Sequence, residues 1–277
     1  MSSIDLNGKV CIVTGGGRGL GRAMTLALVG AGARVSAAMH IAEDVPKITA
    51  ECKGLPGSLL PMVADVRDPA HCARVVRETV AVFRGVHMLV NNAGVGMLLV
   101  RQNYNREPTK FWEGKADAWR AIIETNFLGP FNMAREVVPH MLTQKWGRIV
   151  NVTTSIHTMQ RQGFSPYGSS KAALEAATST WAADLDGTGI TVNVLVPGGA
   201  ADTNLLPGNP GDPGRSGADG QLLDPAVMQK PIVWLASNHS DGVTGLRFIG
   251  KDWKDLPPGE CKANAMGPAG FGPRTEG

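Results

Sequence analysis

Cysteine is scarce and scattered: the four residues Cys11, Cys52, Cys72 and Cys261 show no Cys-x-x-Cys spacing. Neither a disulfide framework nor a zinc or other metal site is expected from them. Charge is thin, at 18% of residues with a net +3, and no basic stripe is interleaved with aromatics. That leaves nucleic acid without a footprint on this chain. Long apolar runs are also missing, since none approaches the roughly 18 residues that cross a bilayer. Residues 1–9 have neither a basic start nor an apolar signal core, so a soluble, cytoplasmic protein with no membrane partner is expected. No internal repeat is present.

What the chain does have is apolar content, 43% of 277 residues, enough for an extensive core within a single unit. A short apolar run at 9–13 leads into Thr14-Gly15-Gly16-Gly17-Arg18-Gly19-Leu20-Gly21 and then an apolar-periodic stretch at 23–29. This reads as strand, glycine turn, helix. Glycines let a backbone approach a pyrophosphate, and a helix N-terminus offers it free N–H groups. Further strands are expected at 34–39, 59–64, 86–90, 148–152, 190–196 and 246–249, with a helix at 69–83 and a longer one at 117–141. Alternation of this kind implies a parallel sheet with helices on both faces, and ligands gather where its strands end. Asp65, Asn91 and Gly94 fall at such ends.

Residues 95–115 form a long aperiodic connection, either a substrate wall or, through Tyr104, Phe111 and Trp112, a plug over the core. Asn126 lies inside the expected long helix, where it is either solvent-facing or placed for a purpose. The Gly- and Pro-rich 198–223 segment reads as a flap.

Residues 165–174 run Ser-Pro-Tyr-Gly-Ser-Ser-Lys-Ala-Ala-Leu. Ser165 can cap a helix that Pro166 begins. Tyr167 and Lys171 then share a face. A free Tyr has a pKa of about 10, and an adjacent ammonium favours the phenolate, which suits proton exchange with an alcohol oxygen. Alone, the pair is more often an exposed helix pair than a site.

Taken in order, these pieces resemble the short-chain dehydrogenase/reductase family, in its single-domain oxidoreductase branch. Residues 14–21 resemble its cofactor turn, 91–94 its Asn-Asn-Ala-Gly, and Tyr167 with Lys171 its Tyr-x-x-x-Lys. Asn126, Ser155 and Pro197-Gly198 fall where the family's active-site Asn, Ser and Pro-Gly are expected. The likeness spans residues 5–249. It implies an α/β fold, a Rossmann-like doubly wound parallel sheet of about seven strands with helices on both faces. One dinucleotide-binding catalytic domain would occupy 1–250 and a surface tail 251–277.

The resemblance further implies NAD(P)(H)-dependent interconversion of a ketone or aldehyde with an alcohol. Reduction of an imine or enone, or a catalytically silent cofactor sensor, are the alternatives. Tyr167 would be the general acid/base, and Lys171 would lower its pKa and hold the nicotinamide ribose. A hydroxyl near Ser155 would polarise the carbonyl, and Asn126 would support a proton relay. The family's Ser usually precedes the Tyr by thirteen residues, which here is Thr154; a one-residue difference in the loop restores Ser155, which is preferred, with Thr154 left open. Cofactor contacts are expected at Gly15, Arg18, Gly19, Leu20 and Gly21 in the turn. Further ones are expected at His40, Asp65 and Val66, at Asn92, Ala93 and Gly94, at Tyr167 and Lys171, and at Pro197, Gly198 and Thr203.

An NAD enzyme of this fold carries a carboxylate at the end of the second strand, where this chain has Met39 and His40. Glu43 and Asp44 read as the first turn of the next helix. With Arg18 and His40 near, NADP(H) is expected over NAD(H). The small-residue run Ala172, Ala173, Ala176 and Ala177 offers a surface for close helix packing, so a homodimer or homotetramer is expected.

Overall fold

A computed structural model describes residues 4–270 apart from 214, 218 and 219. Its centre is one eight-stranded sheet in the order β3-β2-β1-β4-β5-β6-β7-β8. The strands are β1 (Val10–Thr14), β2 (Arg34–Met39), β3 (Ser58–Val63), β4 (Met88–Asn91), β5 (Gly147–Val152), β6 (Ile190–Val196), β7 (Leu246–Ile249) and β8 (Ala265–Pro268). The first seven pair in parallel, and β8 runs antiparallel along β7. Chain order reverses between β1 and β4, which places the ends of those two strands at the ligand crevice.

Both faces are covered because the buried strands are apolar on both sides. In β1, Cys11 and Val13 join one core with Met24 and Leu28 of α1 (Gly19–Gly30), Ile48 of α2 (Asp44–Cys52) and Trp234 of a later helix. Ile12 joins the opposite core with Val75 of α3 (Pro69–Phe83) and residues 133–141. The two-residue period of a strand sends neighbours to opposite faces, and this double layer follows from it.

The expected helix at 117–141 is three pieces: α4 (Ala116–Ile123), a π turn (Glu124–Leu128) and α5 (Gly129–Gln144). Asn126 sits in the π turn, fully buried. Such single π turns open the hydrogen-bond ladder and commonly sit at functional sites. After β5 come a short α6 (Ile156–Met159) and α7 (Tyr167–Asp184). Ser165 is not the cap of α7: Pro166 holds that position, with no side-chain cap. After Asp224 the chain forms a 3-10 turn (Pro225–Met228), capped by the Asp224 carboxylate on Ala226 N–H at 2.8 Å, before α8 (Gln229–Leu235).

The expected surface tail needs correction over residues 251–270. β8 zips onto the edge of β7, Cys261 is buried, and the Trp234 indole donates to the Pro258 carbonyl at 2.8 Å. Pro and Gly frequency suggested exposure; backbone pairing with an open sheet edge outweighs it. Residues 271–277 of that expected tail lie outside the described residues.

Candidate active site

The crevice begins at the glycine turn, which is fixed to the β4 end by side chains. Thr14 Oγ1 accepts from the N–H groups of Asn92 (3.0 Å) and Ala93 (3.1 Å) and donates to the Val90 carbonyl. Asn92 Nδ2 donates to the carbonyls of Thr14 (2.9 Å) and Gly15 (3.2 Å). The packing leaves no room for a side chain at Gly21, where a Cβ would stand 2.0 Å from the Gly15 carbonyl oxygen. Gly19 has φ +52, and a Cβ there would press on Thr203 at 2.9 Å. Thr203 of the 198–223 segment therefore lies over the turn. No side chain caps α1, so its first N–H groups remain for an anion. A glycine cradle ending in uncapped N–H groups fits the pyrophosphate of a nicotinamide dinucleotide.

Around this cradle the other expected contacts are distributed unevenly. Arg18 clasps Asp44 through Nε (2.6 Å) and Nη2 (2.7 Å), so Asp44 does more than favour the start of α2. Asp44 and Met39 both crowd Gly17, at 2.8 and 2.9 Å from a Cβ placed there. His40 is exposed, with Nδ1 3.8 Å from Asp65. Asp65 is gripped by Arg67, whose hydrogen bonds hold its carboxyl below the usual carboxylate range. Val66 is buried against the Gly129 backbone, and Leu20 is half-buried. Pro197 is buried and Gly198, at φ +95, turns the chain beneath Ile249 and Lys251.

The catalytic candidates converge at the ends of β4 and β5. Asn126 Oδ1 accepts from Val95 N–H at 2.9 Å, while its Nδ2 donates to the Val95 carbonyl (2.9 Å) and Ser170 Oγ (3.0 Å). A Cβ on Gly94 would stand 3.2 Å from Asn126 Oδ1 and 3.6 Å from Lys171 Nζ. Tyr167 and Lys171 are both buried, which removes the exposed-pair reading.

The two candidate hydroxyls separate cleanly. Ser155 Oγ caps α6, accepting from Thr158 N–H at 3.1 Å, and also contacts Thr158 Oγ1 at 2.8 Å. Thr154 instead lies beside the Tyr167 phenol, close enough to favour its ionised form. The loop needs no one-residue adjustment, because Ser155 is a better helix cap than a continuation of the strand end. Ser155 is thus committed to the α6 cap, which leaves Thr154 as the hydroxyl free to face the phenol.

Burial pushes the Tyr167 phenol up to about 12, with the neighbouring Thr154 opposing and Tyr104 adding to the rise. The expected lowering by Lys171 is not what the geometry gives. Lys171 Nζ lies 6.0 Å from the phenol ring centroid and donates to the Val152 carbonyl at 2.9 Å. Burial also pushes Lys171 down to about 8, with Glu175 partly offsetting it. A firmly protonated phenol suits an acid better than a base.

Over the phenol lies an apolar wall. Met97, Tyr104, Phe164 and Tyr167 pack together with Leu98, Val100 and Leu205, and Tyr104 meets Phe164 edge-on at 5.5 Å. Tyr104 thus belongs to the wall, whereas Phe111 and Trp112 are exposed, their rings meeting edge-on at 5.0 Å. Arg215 staples the segment that carries Leu205, donating to the carbonyls of Thr203 (2.7 Å), Leu206 and Pro207 and pairing with Asp202. Sequence reasoning missed Thr14, Glu175, Arg215 and Arg247. Of these only Glu175 carried a signal, standing four residues beyond Lys171 on the same helix face.

Residues 9–210 match the short chain dehydrogenase family. The 3-oxoacyl-[acyl-carrier-protein] reductase of Thermotoga maritima is 36% identical over 252 residues, covering 89% of this chain and 97% of that protein. A short-chain type dehydrogenase/reductase of Picea abies is 32% identical, covering 73% and 74%. Among solved structures, a dehydrogenase/reductase from Sinorhizobium meliloti 1021 superposes with a TM-score of 0.74 at 31% identity, covering 88% of this chain and 94% of that one. With the glycine cradle and the Tyr167–Lys171 helix in place, this chain belongs to the short-chain dehydrogenase family, as an oxidoreductase that acts on CH–OH groups with a nicotinamide cofactor.

Proposed function

We propose that this protein reduces a ketone with an apolar arm to its alcohol, with Tyr167 as proton donor, Thr154 as the hydroxyl that orients the carbonyl and NADP(H) as cofactor. The observation that carries the reading is Thr154 beside the buried Tyr167 phenol, in the crevice that also holds Lys171 and Asn126. Bound cofactor supplies the hydride. Gly15, Gly19, Leu20 and Gly21 hold its pyrophosphate, Asp65 and Val66 its adenine, and Lys171 its nicotinamide ribose. Asn92, Ala93, Gly94, Pro197, Gly198 and Thr203 line the rest of the path.

As the carbonyl carbon is reduced, charge grows on its oxygen, and two hydroxyls aimed at that oxygen stabilise it. Tyr167 then gives up its proton to the alkoxide. The raised pKa keeps the proton on the phenol until that charge appears. Asn126 braces Val95 and Ser170 with all its polar atoms, so its part is to hold the π turn open. The wall of Met97, Leu98, Val100 and Leu205 favours a substrate with an apolar arm, of which the 3-oxoacyl group in the relatives' names is one example.

Preference for NADP(H) is supported by the lack of a carboxylate at the β2 end and by Arg18, whose Nη1 is left over after the Asp44 clasp among the described residues. A homodimer or homotetramer is supported by partial exposure of Ala172, Ala173 and Ala177, and by the exposure of Ala176, Leu128 and Phe131. Four buried free thiols accord with the cytoplasm.

A panel of ketones, imines and enones followed by nicotinamide absorbance tests the substrate class. Tyr167→Phe is expected to lower kcat by about 10²–10⁴-fold on the best ketone, with cofactor affinity nearly unchanged. Turnover within a few-fold of wild type removes Tyr167 from the reaction.

A further inference from the structure

Glu175 is a carboxylate 1% exposed that the reaction above does not use. It lies on the face of α7 that already carries Tyr167 and Lys171, two turns and one turn earlier. Its Oε1 accepts from the Thr153 hydroxyl at 2.5 Å and pairs with Arg247 of β7. Arg247 in turn donates through Nη2 to the Thr154 carbonyl at 2.8 Å. One residue earlier, Lys171 holds the Val152 carbonyl. Three consecutive residues at the β5 end are therefore tied down by Lys171, Glu175 and Arg247. The other oxygen of Glu175 accepts from Gly270 N–H at 3.3 Å, just beyond β8.

We propose that Glu175, through its pair with Arg247, is a positioning residue for the reaction, fixing the Thr153–Thr154 backbone so that the Thr154 hydroxyl meets the Tyr167 phenol. A buried charge pair is a poor device for stability alone, because desolvation offsets most of its attraction. Here it adds to the Thr153 N–H bond to the Leu195 carbonyl at 3.3 Å, which carries the β5–β6 pairing one residue past Val152. The Thr154 hydroxyl moves with its backbone, so whatever holds that backbone sets where the hydroxyl sits against the phenol. The inference rests on the assignment of Thr154 and Tyr167 given above.

The same carboxylate faces Lys171 and favours its charged form against burial. The Tyr167 ring lies 6.0 Å from that ammonium, neutral Asn126 meets it across Gly94, and Glu175 is the charged group that bears on it, its partner Arg247 being neutralised in the pair. Removing the carboxylate should therefore discharge Lys171 at lower pH, a change that a purely structural role would not produce.

Glu175→Gln and the double variant Glu175→Gln/Arg247→Met are compared with wild type by melting temperature, cofactor titration and the pH profile of kcat/KM on a ketone. The single variant is expected to lose about tenfold or more in kcat per cofactor-binding site. Its alkaline limb should move down by about one pH unit, the scale of an opposite charge lost nearby. The double variant, which leaves no unpaired guanidinium, should recover melting temperature while keeping both kinetic defects. It carries the test if the single variant does not fold. Wild-type kcat with an unmoved alkaline limb in the folded variant overturns the proposal. Loss of Tyr167→Phe activity alongside that outcome would leave the reaction assignment standing and reject only the role of Glu175.

Discussion

The two ends of the crevice are built differently. At the β1 end, backbone faces the ligand crevice: the N–H groups of α1 and glycines whose missing Cβ atoms let surfaces touch, with the turn tied in place by the Thr14 and Asn92 side chains. At the β5 end, side chains do it, reaching from α7, from β7 and from the segments that carry Tyr104 and Leu205. A backbone-made site depends on where side chains are absent. A side-chain site depends on which of several similar groups arrives first.

Gly21→Ala breaks the backbone end most severely. The added Cβ would sit 2.0 Å from the Gly15 carbonyl oxygen, so the turn must shift. Cofactor binding by titration is expected to weaken about 10²-fold, the scale of an ångström-sized misplacement. Gly30→Ala, with nothing within 4 Å, is the control on the same helix. It should keep affinity and gain about 0.5–1 kcal/mol in denaturant unfolding.

The side-chain end should instead show itself in pH. Lys171 is pushed down to about 8, so its cation is present below that pH and lost as pH rises through it. Tyr167, up at about 12, stays protonated across the same window. The kcat/KM for reduction is expected to be flat up to about pH 8 and then to fall by about tenfold per unit. A profile flat through that range would mean that the Lys171 charge is not needed.

Arg18→Ala sharpens the contrast with a smaller effect, because its guanidinium is part exposed and already shared with Asp44. A loss of about tenfold in kcat/KM for NADPH, with a few-fold change for NADH, is expected from one charge-assisted contact. Equal losses for both cofactors would mean that the 2′-phosphate is not read there.

This contrast explains what was legible in the sequence. Glycine spacing, strand alternation and the β2 end read directly, since each follows from backbone geometry. Tyr167 and Lys171 read as a pair because four residues make one helical turn. The choice between Thr154 and Ser155 did not, because adjacent hydroxyls differ only in whether a new helix starts at the second. Nor did Arg247, eighty residues from Tyr167 in sequence and brought to it only by the β5-β6-β7 register. The break at Asn126 was hidden because a π turn keeps the apolar pattern of the helices around it. The tail was misread because its partner, the open edge of β7, exists only once the sheet has formed.

The central claim is that the hydroxyl beside the phenol belongs to Thr154. Steady-state kinetics and unfolding of Thr154→Ala and Ser155→Ala, measured side by side, test it most directly. Thr154→Ala is expected to lower kcat by about 10²-fold with little change in cofactor binding, as loss of one donor to a developing oxyanion does. Ser155→Ala should keep kcat within a few-fold and lose about 1 kcal/mol of stability with the α6 cap. The reverse pattern, with Ser155→Ala inactive and Thr154→Ala active, would contradict the account.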